Sequence, residues 1–221
     1  MLPVWCVFIA ISVRLLGSAS YFKSVLRGKT QPNPITWFIW SLTALVAFFA
    51  QLHARVGFSM YTTLALGLGP LIICIAALIK HPAASHFTPF NITCGVLALV
   101  GVALWQATAN GNLAIVFSIL ADTFGSIPTV HKSYHHPHTE YALPYALSVC
   151  SMVITLATLR QWYFLGYAYP LYIFTINLTI FSIIMWRGSL QKRSRRVKAP
   201  HLKNKDGRPA RPYRLHSNRF K

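Results

Sequence analysis

Acidic residues are almost missing from this chain: Asp122, Glu140 and Asp206 are the only ones among 221 residues. So few carboxylates leave no paired acids for hydrolysis, and no nucleophile elbow or phosphate-binding glycine loop takes their place. The sequence therefore reads as a non-enzyme, and nothing in it calls for a cofactor. Cysteine is sparse too. Cys6, Cys74, Cys94 and Cys150 sit inside apolar stretches without metal or disulfide spacing, which makes them packing residues. Charged residues make up 11% of the chain against 54% hydrophobic ones, and the mean hydropathy is +0.47. That composition belongs to proteins that cross a membrane several times.

What charge there is gathers at one end. Thirteen of the 21 Lys and Arg fall between Arg187 and Lys221, so the net charge of +18 and the pI near 10.3 are largely properties of that tail. Residues 187–221 hold few aliphatic side chains and include Pro200, Pro209 and Pro212, so they read as a disordered polybasic tail. A basic segment leaving a membrane helix meets phospholipid headgroups first, at about 1 kcal/mol per basic residue near an anionic surface. Membrane lipid is the expected partner. Nucleic acid is a lesser expectation, because only Tyr213 and Phe220 could offer a stacking platform.

A helix needs roughly 20 largely apolar residues to cross the hydrocarbon. Runs of about that length lie at 3–22, 34–53, 57–79, 90–109, 112–130, 141–159 and 163–186. The connections after the first, third and fifth runs carry Lys23, Arg27, Lys29, Lys80 and Lys132, whereas the opposite side has only Arg55 and Arg160. Basic loops stay in the cytoplasm, so the N-terminus is expected outside and the C-terminus in the cytoplasm. The first run lacks a positive leading segment and reads as a retained span. Trp5, Trp105 and Trp162 on one side, with Trp37 and Trp186 on the other, read as interface anchors.

An offset of 109 brings Lys23-Ser24 onto Lys132-Ser133, Thr30 onto Thr139 and Gly57 onto Gly166 without a gap. The same offset lays the first three runs on the last three and leaves the fourth unmatched. The expected fold is an all-α membrane protein with seven transmembrane helices over residues 1–186. Repeat one covers 3–79, a linker helix covers 90–109, and repeat two covers 112–186. One inverting span between the halves makes them parallel, and parallel halves hold a solute between them near the midplane.

In this layout, and in the half-motif Gly125-Ser-Ile-Pro-Thr-Val-His-Lys132, residues 3–186 resemble the SWEET and PQ-loop superfamily of seven-helix transporters. The resemblance implies a carrier of a small solute, sugar-like or amino-acid-like, that works by alternating access. It also implies hinges at Pro128 and Pro144 and a substrate contact at Asn177. Thr129 stands where the family pairs proline with glutamine, and Leu68, the repeat counterpart of Asn177, is apolar.

Among single residues Asp122 is the most informative, because a carboxylate in an apolar run is costly unless paired, neutralised or facing water. Arg14 is the one base deep in a run, and the repeat maps it onto Thr123, beside Asp122. The expectation is an Arg14–Asp122 ion pair lining or closing a central path. A static pair that locks the halves together is the alternative. An unpaired Asp122 would instead suit a proton carrier. Asn177 is either a solute contact or an interhelical hydrogen bond. Trp40 shares a helix face with Trp37 and is expected to wall the cavity.

His131, His135, His136 and His138 cluster before the sixth run, without a thiol to complete a metal site, and read as a solvated loop. Two function classes remain, a small-solute transporter and a non-transporting receptor or scaffold whose basic tail binds lipid or a partner. Homo-oligomerisation stays open.

Overall fold

The computed structural model describes residues 2–80, 88–90, 92, 93, 96, 99, 100, 103 and 110–198. Among them the regular structure is entirely helical: α1 Cys6–Leu26, α2 Pro34–His53, α3 Met60–Lys80, α4 Gly111–His135, α5 Leu143–Thr158 and α6 Phe164–Lys198, with a 3-10 turn at Pro137–Thr139.

Local chemistry sets these boundaries. Asn33 caps α2 by accepting the Ile35 amide at 3.1 Å, and Pro34 fills the first helical position, where its missing N–H costs nothing. Asn110 caps α4 in the same way through the Asn112 and Leu113 amides. At the end of α1, Gly28 takes φ +68°, and the Gly28 and Lys29 amides turn back to the carbonyls of Val25 and Ser24. That closure requires a left-handed residue, which glycine supplies at little cost.

Five of the helices, α1 to α4 and the Phe164–Gln191 part of α6, are long and apolar enough to cross a membrane. α5 is apolar but has 16 residues. The expected linker span at 90–109 lies largely outside the described residues. The tail read as disordered from Arg187 needs a corrected boundary, because α6 continues through Lys198. Residues 199–221 lie outside the described residues.

Side chains are distributed inside out relative to a water-soluble bundle. Phe8, Leu16, Phe49, Ile79 and Trp186 are exposed, while Thr43, Thr62, Ser118, Ser148 and Thr155 are buried. Large apolar groups can face outward over so wide an area only against lipid, and small hydroxyl residues let helices approach closely. The chain thus carries the helices of a multi-pass membrane protein.

α3 packs against both α1 and α2, α6 packs against both α4 and α5, and the two sets meet where α1 touches α5 and α2 touches α4. At one end of the bundle Lys132 Nζ donates to the Gln31 carbonyl, joining the α1–α2 turn to the end of α4. At the other end the Leu2 amide donates to the Ala157 carbonyl at 2.9 Å, and Gln51 Nε2 donates to the Leu165 carbonyl at 3.3 Å. α1 and α4 therefore both finish at the Lys132 end.

Candidate functional site

All six helices meet around one internal cavity of about 30 Å³, lined by Arg14, Trp40, Pro70, Asp122, Tyr145 and Asn177, one from each. A single water occupies roughly 10–15 Å³ by this measure, so the cavity holds about two waters. In this conformation it is too small for anything the size of a sugar.

Asp122 is buried and gathers hydroxyls from two neighbouring helices and its own. Thr43 Oγ1 of α2 lies 2.9 Å from Oδ1, and the Tyr172 hydroxyl of α6 donates to Oδ2 at 2.8 Å. Ser126, one turn on along α4, lies 3.3 Å from Oδ2 and 2.7 Å from the Asp122 carbonyl, and it accepts from Trp40 Nε1 at 2.9 Å. Thr43 has an equally close alternative in the Ile39 carbonyl at 2.9 Å. Each hydroxyl carries one proton, so Thr43 and Ser126 can turn either to the carboxylate or to backbone. Tyr172 is the committed donor.

Gly125 makes this approach possible. A Cβ built there would lie 2.5 Å from Ile39 Cγ2, so only glycine lets α4 come this close to α2.

Arg14 lines the same cavity and is buried, but the expected ion pair with Asp122 is not formed. Among the described residues the one ion pair is Lys132–Glu140, at 3.0 Å. Asp122 is satisfied by hydroxyls instead, and Arg14 Nε is buried with no hydrogen-bond partner among the described residues. Two opposite charges thus face one small space without neutralising each other directly.

The other expected residues divide. Trp40 lines the cavity, as does Asn177, whose Nδ2 donates to the Ile173 carbonyl of its own helix at 2.8 Å rather than across to another. Trp37 is not an interface anchor: it is 4% exposed and packs on Tyr21 with ring centroids 4.5 Å apart. Pro128 lies inside α4, where a bend is expected, but Pro144 stands in the first turn of α5, where proline fits without bending. Pro70 and Pro170 lie inside α3 and α6 and are further interior breaks. Leu68 is 45% exposed, so the repeat counterpart of Asn177 faces away from the cavity.

Towards the Lys132 end the cavity is closed by a polar and aromatic layer. The Glu140 carboxylate accepts from Lys132 Nζ at 3.0 Å, from the Tyr21 hydroxyl at 3.0 Å and from the Tyr145 hydroxyl at 3.4 Å. Tyr145 belongs to both levels, since its ring also lines the cavity. Trp37 and Trp40, edge to face at 5.0 Å, continue this layer to Ser126 and Asp122.

No family model, curated protein or solved structure matches this chain. The geometry itself has to carry the reading.

Sequence reasoning found Asp122, Arg14, Trp40 and Asn177 but missed Thr43, Ser126, Tyr172, Tyr145, Tyr21 and Glu140. Two of these carried a signal. Ser126 stands four residues after Asp122 and must share its helix face, and Thr43 stands three after Trp40. Glu140 was visible as an acid, but its partner Tyr21 lies 119 positions away.

Proposed function

We propose that the chain is a small-solute transporter of the SWEET and PQ-loop type, working by alternating access between two parallel three-helix halves. The observation that carries this is the convergence of all six described helices on one cavity lined by a buried acid and a buried base. A static bundle gains nothing from burying two unpaired charges at one point, whereas a path for a polar solute needs polar groups at that depth.

The halves are α1–α3 and α4–α6. Exchanging α1, α2 and α3 for α4, α5 and α6 maps each main helix contact onto another: α1 with α3 onto α4 with α6, and α1 with α5 onto α4 with α2. This supports a two-fold relation between parallel halves. α3 finishes at the Lys132 end and α4 begins at the opposite end. Lys80 and Asn110 thus stand at opposite ends of the bundle, which supports a seventh span and the three-one-three layout. The basic connections support a cytoplasmic Lys132 end. On this reading the Glu140 layer is the cytoplasmic closure, and opening requires Glu140 to part from Lys132, Tyr21 and Tyr145.

The test is uptake into proteoliposomes across a panel of sugars and amino acids, with and without an inward proton gradient. Wild type, Asp122→Asn and a chain ending at Lys198 are compared. Flux for one solute class, retained by the shortened chain and lost in Asp122→Asn, is the expected result. Gradient dependence would assign proton coupling to Asp122. Wild type with no flux for any solute would overturn the proposal in favour of a tail-driven scaffold.

A further inference from the structure

We propose that the central site takes a small zwitterion, a neutral α-amino acid with its carboxylate on Arg14 and its ammonium on Asp122. The proposal rests on the transporter reading for its purpose, but not for its chemistry. Arg14 and Asp122 face the same cavity without an ion pair between them, and Arg14 Nε has no partner among the described residues. A buried guanidinium with a free N–H is an anion acceptor waiting for a ligand, and a carboxylate is the planar partner it fits best.

Asp122 is arranged to receive a cation. Three hydroxyls hold it and no base does, and two of them, on Thr43 and Ser126, have backbone carbonyls within reach as alternatives. An arriving ammonium can take over the carboxylate while those hydroxyls turn away, so no donor is left stranded. Only Tyr172 needs to stay.

Charge balance favours a zwitterion over the competing solutes. A neutral sugar offers hydroxyls to both charges but neutralises neither. A simple amine or a simple carboxylate answers one charge and adds a net charge at the centre of the bundle. A zwitterion answers both and leaves the loaded site neutral, the cheapest state in which to pass through a hydrocarbon environment. The site has to widen from its present two-water space to admit even alanine, and the Trp40 and Tyr145 rings, as apolar walls, favour small side chains.

The experiment is equilibrium binding to the purified full-length protein in detergent, with alanine, ethylamine, propionate and glucose as probes. Wild type is compared with Arg14→Gln, Arg14→Lys and Asp122→Asn, and thermal unfolding checks that each variant is folded. Alanine is expected to bind at least about thirtyfold more tightly than either singly charged analogue, as expected for truncating one side of a buried charge contact. Arg14→Gln should weaken alanine but not ethylamine, Asp122→Asn should weaken alanine but not propionate, and Arg14→Lys should recover part of the loss. This crossed pattern is one that a merely structural pair cannot produce. Glucose binding in preference to alanine overturns the zwitterion and leaves the transporter standing. Alanine binding without alanine flux in proteoliposomes upholds the zwitterion and overturns the transporter. If none of the four probes binds, the zwitterion assignment fails.

Discussion

Tyr172 is the residue on which Asp122 depends most, because its hydroxyl, 2.8 Å from Oδ2, has no competing carbonyl acceptor among the described residues. Hydrogen bonds to a charged group are worth about 1.5–3 kcal/mol, so Tyr172→Phe should lower stability by an amount in that range. Thermal unfolding in detergent, with Asp122→Asn and the double variant completing a cycle, measures the coupling. If Tyr172→Phe costs the same in the Asp122→Asn background, the contact does not matter. The acid could be read from the sequence because a carboxylate in an apolar run is conspicuous. Its partners could not, since threonine, serine and tyrosine are ordinary in membrane helices and their meeting depends on how three helices cross. The same ignorance of crossing geometry produced the Arg14–Asp122 pair. Both side chains line one cavity, but sharing a cavity does not fix which way each side chain turns.

Between elements, one tight approach is at Gly125 of α4, against Ile39 of α2. A methyl group there has to displace a buried isoleucine, so Gly125→Ala should destabilise the protein by about 1–3 kcal/mol, as overpacking does. Trimming the neighbour in Gly125→Ala/Ile39→Ala should recover part of the loss. A double variant no better than the worse single would show that the contact is not the cause. Prolines give a second prediction at this scale. Pro144 lies in the first turn of α5, so Pro144→Ala should change stability and flux little, whereas Pro128→Ala restores a backbone bond inside α4 and should alter transport rate. Both are followed by uptake into proteoliposomes. The positions of the six described helices were legible to within about five residues, α6's end apart, because length, apolarity and caps are local. The start of α2 at Pro34 and the end of α3 at Lys80 fall within a residue of expectation. The continuation of α6 to Lys198 was hidden, because charge ends an apolar run without ending a helix.

For the whole molecule, the account makes one cavity the meeting point of two moving halves, closed at the Lys132 end by Glu140. Glu140→Gln removes the charge that holds Lys132 and weakens the bonds from Tyr21 and Tyr145, so it should favour opening at that end. The most direct measurement is accessibility of the cavity itself. In a background with the four native cysteines replaced, Asn177→Cys is exposed to a membrane-impermeant thiol reagent from either side of sealed, oriented vesicles. Ser59→Cys, at the α2–α3 turn, marks the opposite end. Alternating access predicts that Asn177→Cys is labelled from both sides, and faster from the Lys132 side when Glu140→Gln is added. Labelling of Ser59→Cys from its own side, with Asn177→Cys protected from both or reached from one alone, would contradict the account.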